Sequence, residues 1–156
     1  MKNQRRGGEM FFSKTFGYAL RAILYLAVLR NEKRRIQIDE IADELSVPRH
    51  FLGKILQDLV RSGLLKSTKG PYGGFYLHPD TLKTSLTSLL KITDGYDIFS
   101  SCVLQLHKCN SNNPCPLHAE VEVVKAKFKS IFDHTTIGDL LKDDKKLFLK
   151  SLVTFR

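Results

Sequence analysis

The sequence lacks what would place it in a membrane or send it out of the cell. No apolar run approaches the roughly 18 residues that a membrane span requires. The start, M-K-N-Q-R-R-G-G-E, has no apolar core of the kind a secretory leader carries. Both absences point to a cytoplasmic chain with no membrane partner. Cysteine is scarce and odd in number, three in 156 residues, which excludes a disulfide scaffold and fits a reducing compartment with a thiol or metal role. There is no C-x-x-C motif and no thioredoxin-like strand pattern, so nothing supports a redox enzyme, and no enzymatic activity is expected. Acidic residues are outnumbered as well, 16 Asp and Glu against 25 Lys and Arg, for a formal charge of +9.

The surplus is uneven. Residues 1–80 hold 14 basic and 8 acidic side chains, whereas residues 81–156 hold 11 and 8. A basic excess of this kind suits a polyanionic partner, although lysine-rich surfaces also serve solubility alone. A chain of this length buries one core, so one compact domain with an appended helical arm is expected.

The pattern along the chain divides it further. Residues 1–10 have the composition of a disordered basic lead-in, and Met10 is an alternative start. Over residues 13–30, Phe16, Leu20, Ile23, Leu24, Ala27 and Val28 recur at helical spacing, with Ser13 as cap and Asn31 as stop. A second, short helix turns Ile41, Ala42 and Leu45 inward. Ser46-Val47-Pro48 forms the next turn, since proline disfavours helix in the residue before it and suits a helix's first turn. From Pro48 to Ser62 a third helix is predicted to bury Phe51, Leu52, Ile55, Leu56, Leu59 and Val60, and Gly63 ends it.

Two short strands follow, at residues 64–67 and 75–77, joined by T-K-G-P-Y-G-G, whose glycines permit an exposed hairpin tip. Helix, turn, helix and basic hairpin in this order form a winged helix-turn-helix, a mainly α fold with a small β-hairpin wing. The domain is expected over residues 11–95, including one more helix at 85–94 closed by Gly95.

A recognition helix enters the major groove with its N-terminal residues toward the base edges, which nominates Arg49, His50, Gly53 and Lys54. Arginine pairs bidentately with guanine, and glycine permits close approach. The plainer alternatives are a tolerated helix glycine and a solvated histidine. Lys14, Thr15 and Arg21 on the first helix are candidates for phosphate contacts, which position a protein without reading sequence. Lys69 and Tyr72 in the hairpin would lie over a minor groove or the backbone, unless Tyr72 simply packs on Phe75.

Residues 96–116 are irregular and contain every cysteine; irregular stretches of this length are usually functional or disordered. Beyond them, Leu117, Val121, Val124, Phe128 and Ile131 alternate at spacings of four and three, a heptad seam with Lys125, Lys127 and Lys129 outside. This seam is expected to form a dimer interface, against the alternative of packing on its own domain. Thr136 with Asp139 caps a last short helix, so residues 117–142 form a dimerisation helix with a capping helix, and 143–156 a tail.

The segments F-S-K-T-F-G-Y-A-L-R-A-I-L-Y-L-A, I-A-D-E-L-S-V-P-R-H-F-L-G-K-I-L-Q-D-L-V-R-S-G-L-L, K-G-P-Y-G-G-F-Y-L and I-T-D-G, in that order, resemble the bacterial Rrf-two type regulators, the family of IscR, NsrR and CymR. The likeness covers roughly residues 11–142 and rests on several separate motifs. It implies a winged-helix homodimer on double-stranded DNA, acting as a regulator and most simply as a repressor, with the long C-terminal helix crossing between subunits. Some members sense nitric oxide, oxidative stress or iron–sulfur status through a cluster, and others respond through partners.

Here Cys102 is followed after six residues by Cys109, after five more by Cys115, and after two more by His118. The set is similar to the three cysteines and following histidine of the IscR branch, which has five residues in its first gap. Nitric-oxide sensors of the family add an acidic ligand near the first helix, but the A-L-R alignment puts Gly17 there. The resemblance thus implies an iron–sulfur cluster on Cys102, Cys109 and Cys115, with His118 as fourth ligand and His107 or Glu9 as outsiders. Thiolates suit such clusters, and a helix N-terminus beside them favours the negative charge. Zinc, which accepts three sulfurs and one histidine, remains the rival, together with a disulfide switch, an unligated loop, or regulation through a protein partner.

Overall fold

In the computed structural model, the described residues are 12–30, 35–95, 99–104, 106 and 108–142. The expected lead-in at 1–10, Glu9, Asn31, Tyr96, His107 and the tail lie outside them.

Three helices form the body: α1 (Lys14–Leu29), α2 (Ile38–Leu45) and α3 (Arg49–Arg61). Ser13 caps α1 as its spacing predicts, its side chain accepting from the Phe16 N–H at 3.1 Å. The buried stripe of α1, including Ala19, Ala22, Ile23 and Leu26, meets Ile41 and Leu45 of α2 and Leu52, Ile55, Leu56 and Leu59 of α3 in one core. The turn between α2 and α3 is sharpened by Ser46, which takes a left-handed φ of 51° at the end of α2. Gly63 closes α3 at φ 81°, the conformation glycine adopts without penalty.

The wing consists of β1 (Leu65–Thr68) and β2 (Gly74–Leu77), antiparallel and paired Leu65 to Leu77 through Thr68 to Gly74. A third edge was not foreseen. Ile36 forms an isolated antiparallel bridge with Phe75, donating its N–H to the Phe75 carbonyl at 3.0 Å and accepting from the Phe75 N–H at 2.8 Å. Gly74 is therefore obligatory: φ is 144°, and a Cβ would sit 2.6 Å from the Ile36 carbonyl oxygen.

After the wing, α4 (Leu86–Thr93) falls within the helix predicted over 85–94, with Ser85 as its cap, and α5 (His118–His134) packs across it. The C-terminal end of α5 is built into the body. Phe132 is buried and stacks on Phe12 with ring centroids 4.9 Å apart, and Phe16 and Phe99 flank it. Thr87 donates to Asp133 at 2.6 Å. Beyond the helix the chain doubles back, with Ile137 fully buried and its N–H on the Thr84 carbonyl at 2.9 Å. Thr136 and Asp139 cap each other as predicted, but the final element is a single 3-10 turn, Asp139–Leu141.

Two expectations are corrected. Phe51 is 38% exposed, because α3's first turn extends past the core; its ring meets Tyr18 edge-on at 5.8 Å instead. Lys125, placed outside by the heptad pattern, is 7% exposed. The inward face of α5 runs through Val121, Lys125, Phe128 and Phe132, rotated from the predicted seam. Lys127 and Lys129 are exposed.

Candidate nucleic-acid interface and metal site

The four nominated residues of α3 lie on its outer side: Arg49, His50 and Lys54 are exposed and Gly53 half-buried. Arg49 is held by Asp39 of α2, an ion pair exposed on both sides and thus easily exchanged for another anion. At Gly53 an added Cβ would meet only Ile38 Cδ1, at 3.4 Å. Glycine is not demanded there by the interior. Lys14, Tyr18 and Arg21 follow one another at helical spacing along α1. Tyr18 touches Phe51 in the first turn of α3, and Arg21 donates to the Leu45 carbonyl at 2.6 Å, so this face borders the N-terminus of α3. Thr15, half-buried, sits in the same first turn of α1 as Lys14.

At the hairpin tip, Lys69 is exposed and Tyr72 is 90% exposed, so Tyr72 does not pack on Phe75. An aromatic ring held out in solvent beside basic residues is available to a partner. The tip is braced from below, where Gln37 donates its side-chain N–H to the Pro71 carbonyl at 3.0 Å. Together α3 and the wing expose Arg49, Lys54 and Lys69 to solvent.

The cysteines converge in the loop between α4 and α5. Their three sulfurs lie within 4.8 Å of one another, the only such group of His, Cys, Asp or Glu among the described residues. Cys102 and Cys115 are 3.7 Å apart. Sulfurs bound to one tetrahedral ion at about 2.3 Å are separated by about 3.8 Å, so the spacing fits ligands of a single soft metal centre. His118 opens α5 and brings Nδ1 to 3.3 Å from the Cys109 sulfur, joining the group through that residue alone. The Cys115 N–H points at the Cys109 sulfur at 3.4 Å. A turn built on Asn110, whose side chain accepts from the N–H groups of Asn112 and Asn113 at 2.9 Å, folds the intervening loop.

The environment separates the thiols. The backbone N–H of Leu106 is the main influence on Cys102, and with that of Leu104 it stabilises the thiolate against desolvation, lowering the pKa to about 7. At Cys109 the Cys115 N–H pulls downward, but desolvation and the neighbouring Cys102 and Cys115 outweigh it, and the net shift is upward. The site thus combines a thiol that ionises near neutrality with a second whose proton is held more firmly than usual.

The seam residues divide. Leu117, Val124 and Ile131, seven residues apart, are 43%, 47% and 54% exposed, whereas Val121 and Phe128 turn toward the chain's own body. Phe128 packs against the core beside Phe12, ring centroids 6.3 Å apart. Among the described residues, no helix is long and apolar enough to cross a membrane.

Comparison with known proteins places this geometry in context. The sequence profile described as "Rrf2: Iron-dependent Transcriptional regulator" matches residues 12–143. An HTH-type transcriptional regulator of Aquifex aeolicus is 37% identical over 142 residues, spanning 89% of this chain and 97% of that protein. The HTH-type regulator NsrR of Geobacillus kaustophilus is 27% identical over 140 residues, spanning 89% and 93%. Among solved structures, CymR, the global cysteine regulator of B. subtilis, superposes with a TM-score of 0.67 at 23% identity, covering 85% of this chain and 96% of that one. That likeness establishes the shared fold.

Proposed function

This chain belongs to the Rrf2 family of transcriptional regulators, and from that premise we propose that it is a cytoplasmic, homodimeric repressor whose cysteine loop holds an iron–sulfur cluster. The carrying observation is the convergence of Cys102, Cys109 and Cys115 within 4.8 Å, with His118 at the Cys109 sulfur. Soft thiolates on a loop beside a helix N-terminus are the donor set that clusters take. When bound, a cluster supplies a redox- or nitric-oxide-sensitive centre. The residues of this chain then translate its presence into DNA affinity: Arg49, His50, Gly53 and Lys54 meet base edges, Lys14, Thr15, Arg21 and Lys69 meet phosphates, and Tyr72 lies at the wing's groove. The half-exposed row Leu117, Val124 and Ile131 forms the seam between two copies, while Val121 and Phe128 turn toward the chain's own body. Such coupling requires two states of the loop with different DNA affinities.

An anaerobic gel shift with genomic fragments, using protein with and without its cluster, tests the reading. The loaded and empty proteins should differ in affinity, and binding should weaken with salt at a logarithmic slope of about −0.9 per phosphate neutralised. Iron and acid-labile sulfide should be recovered with the protein, together with a visible absorption band. Recovery of stoichiometric zinc in a colourless anaerobic preparation would instead favour the second reading, a tetrahedral zinc or thiol switch, which the 3.7 Å spacing of Cys102 and Cys115 suits directly.

A further inference from the structure

Lysine is almost never fully buried unless paired, because an ammonium removed from water loses several kcal/mol or more of hydration. Lys125 is 7% exposed, midway along α5. Its Nζ donates to the Ser101 carbonyl at 2.6 Å and to Glu122 at 3.2 Å. Ser101 immediately precedes Cys102. Lys125 also lines one small cavity together with Cys102, Cys115, His118 and Glu122. The buried charge therefore stands beneath the cysteines, and its partner toward the loop is a main-chain oxygen that only an ordered loop can supply.

We propose that Lys125 is the positioning residue that fastens the cysteine loop to α5, setting the reactivity and metal affinity of Cys102 and tying the order of the loop to the placement of the helix. A main-chain anchor one residue from a ligand fixes that ligand's direction as a hydrogen bond to a ligand histidine does. Release of the loop would leave the ammonium buried with Glu122 alone, a costly state that is relieved only if the helix shifts or the side chain reaches solvent. Loop and helix consequently move as one unit. The metal-binding part of this proposal rests on the reading of the cysteines as a soft-metal site; the anchoring part does not.

The test uses the full chain, reduced and metal-free, as wild type, Lys125→Met, Lys125→Gln and Lys125→Arg. Carboxamidomethylation of each cysteine is followed by peptide mass spectrometry, and Co²⁺ affinity by chelator competition, with the thiolate absorption reporting the number of sulfurs bound. Lys125→Met and Lys125→Gln should accelerate labelling of Cys102 severalfold relative to Cys109 and weaken Co²⁺ binding on the order of 10-fold to 100-fold, whereas Lys125→Arg should largely restore both. If Lys125→Met loses helical circular dichroism, Lys125→Gln, polar but uncharged and one bond too short to reach the Ser101 carbonyl as lysine does, decides. Unchanged relative labelling would overturn the proposal. So would a uniform acceleration of all three cysteines with a lowered melting midpoint, since that marks general loosening. If the wild type takes up no Co²⁺, the metal reading fails, and the labelling ratio still decides the anchor.

Discussion

The two ends of α5 are held in opposite ways. Its C-terminal end is part of the winged-helix body: Phe132 sits among Phe12, Phe16 and Phe99, Asp133 is bonded to Thr87, and the chain beyond returns to bury Ile137. Its N-terminal half touches the cysteine loop through His118 and, midway along the helix, Lys125, while Leu117 and Val124 on that half remain about half-exposed. One end is determined by close packing, which tolerates little change. The other depends on a few polar contacts and on whatever the cysteines hold. Under the proposed function, the closely packed, fixed region would carry the DNA-reading surface and the conditional cysteine region the sensing one, joined by a single helix.

The sharpest way to break that contrast is to damage the fixed half alone. In Gly74→Ala the new Cβ meets the Ile36 main chain at 2.6 Å in a backbone conformation that L-residues rarely adopt. Unfolding stability should fall by about 2–4 kcal/mol, read as a lowered denaturant midpoint. In the fraction still folded, the labelling rates of the three cysteines should stay at wild-type values. If those rates rise with the loss of the wing, the two regions are not separate and the contrast is wrong.

What the sequence revealed follows the same division. The helices of the body are legible because Phe16, Leu20 and Ile23, and again Leu52, Ile55 and Leu59, recur at helical spacing, and because Ser13 and Gly63 suit the helix ends they occupy. The wing was legible through its glycines. Periodicity fixes phase within a helix but not which neighbour arrives, so the pattern puts Phe51 inside although only Tyr18 of α1 meets its ring and it stays 38% exposed. Lys125 was placed outside because its burial depends on a carbonyl 24 residues earlier, in a loop with no periodicity. The Ile36 bridge was hidden for the same reason, being one residue long. The cysteines were legible as chemistry, through residue type and spacing. Their meeting within 4.8 Å required the turn at Asn110 and the start of α5 together.

A smaller effect separates fold from function within the fixed half. Gly53 lies in mid-helix with only Ile38 Cδ1 near its missing Cβ, at 3.4 Å. Gly53→Ala should therefore stabilise the protein by up to about 1 kcal/mol, the helix propensity difference, while weakening DNA binding in a gel shift by obstructing close approach. Stabilisation with unchanged DNA affinity would remove Gly53 from the interface and leave it an ordinary helix glycine.

The least effect in energy, but the most local, concerns the conditional half. The thiolate is the nucleophile, so labelling by iodoacetamide reports the deprotonated fraction. The Leu106 N–H lowers the Cys102 pKa to about 7, so its reactive form is present above that pH and is lost as the pH falls through it. Cys109 is shifted the other way, and its labelling should inflect above that of an ordinary thiol. In denaturant the backbone donors are gone and both profiles should converge. Equal inflections in the folded, metal-free protein would mean that the loop is not ordered by its own N–H groups. Distinct inflections would mean that it is ordered before any ligand arrives, so that above a pH of about 7 a metal entering the site meets Cys102 ionised and must still displace the proton of Cys109. Uptake should then steepen with pH above neutrality, because the second ligand, not the first, sets the cost.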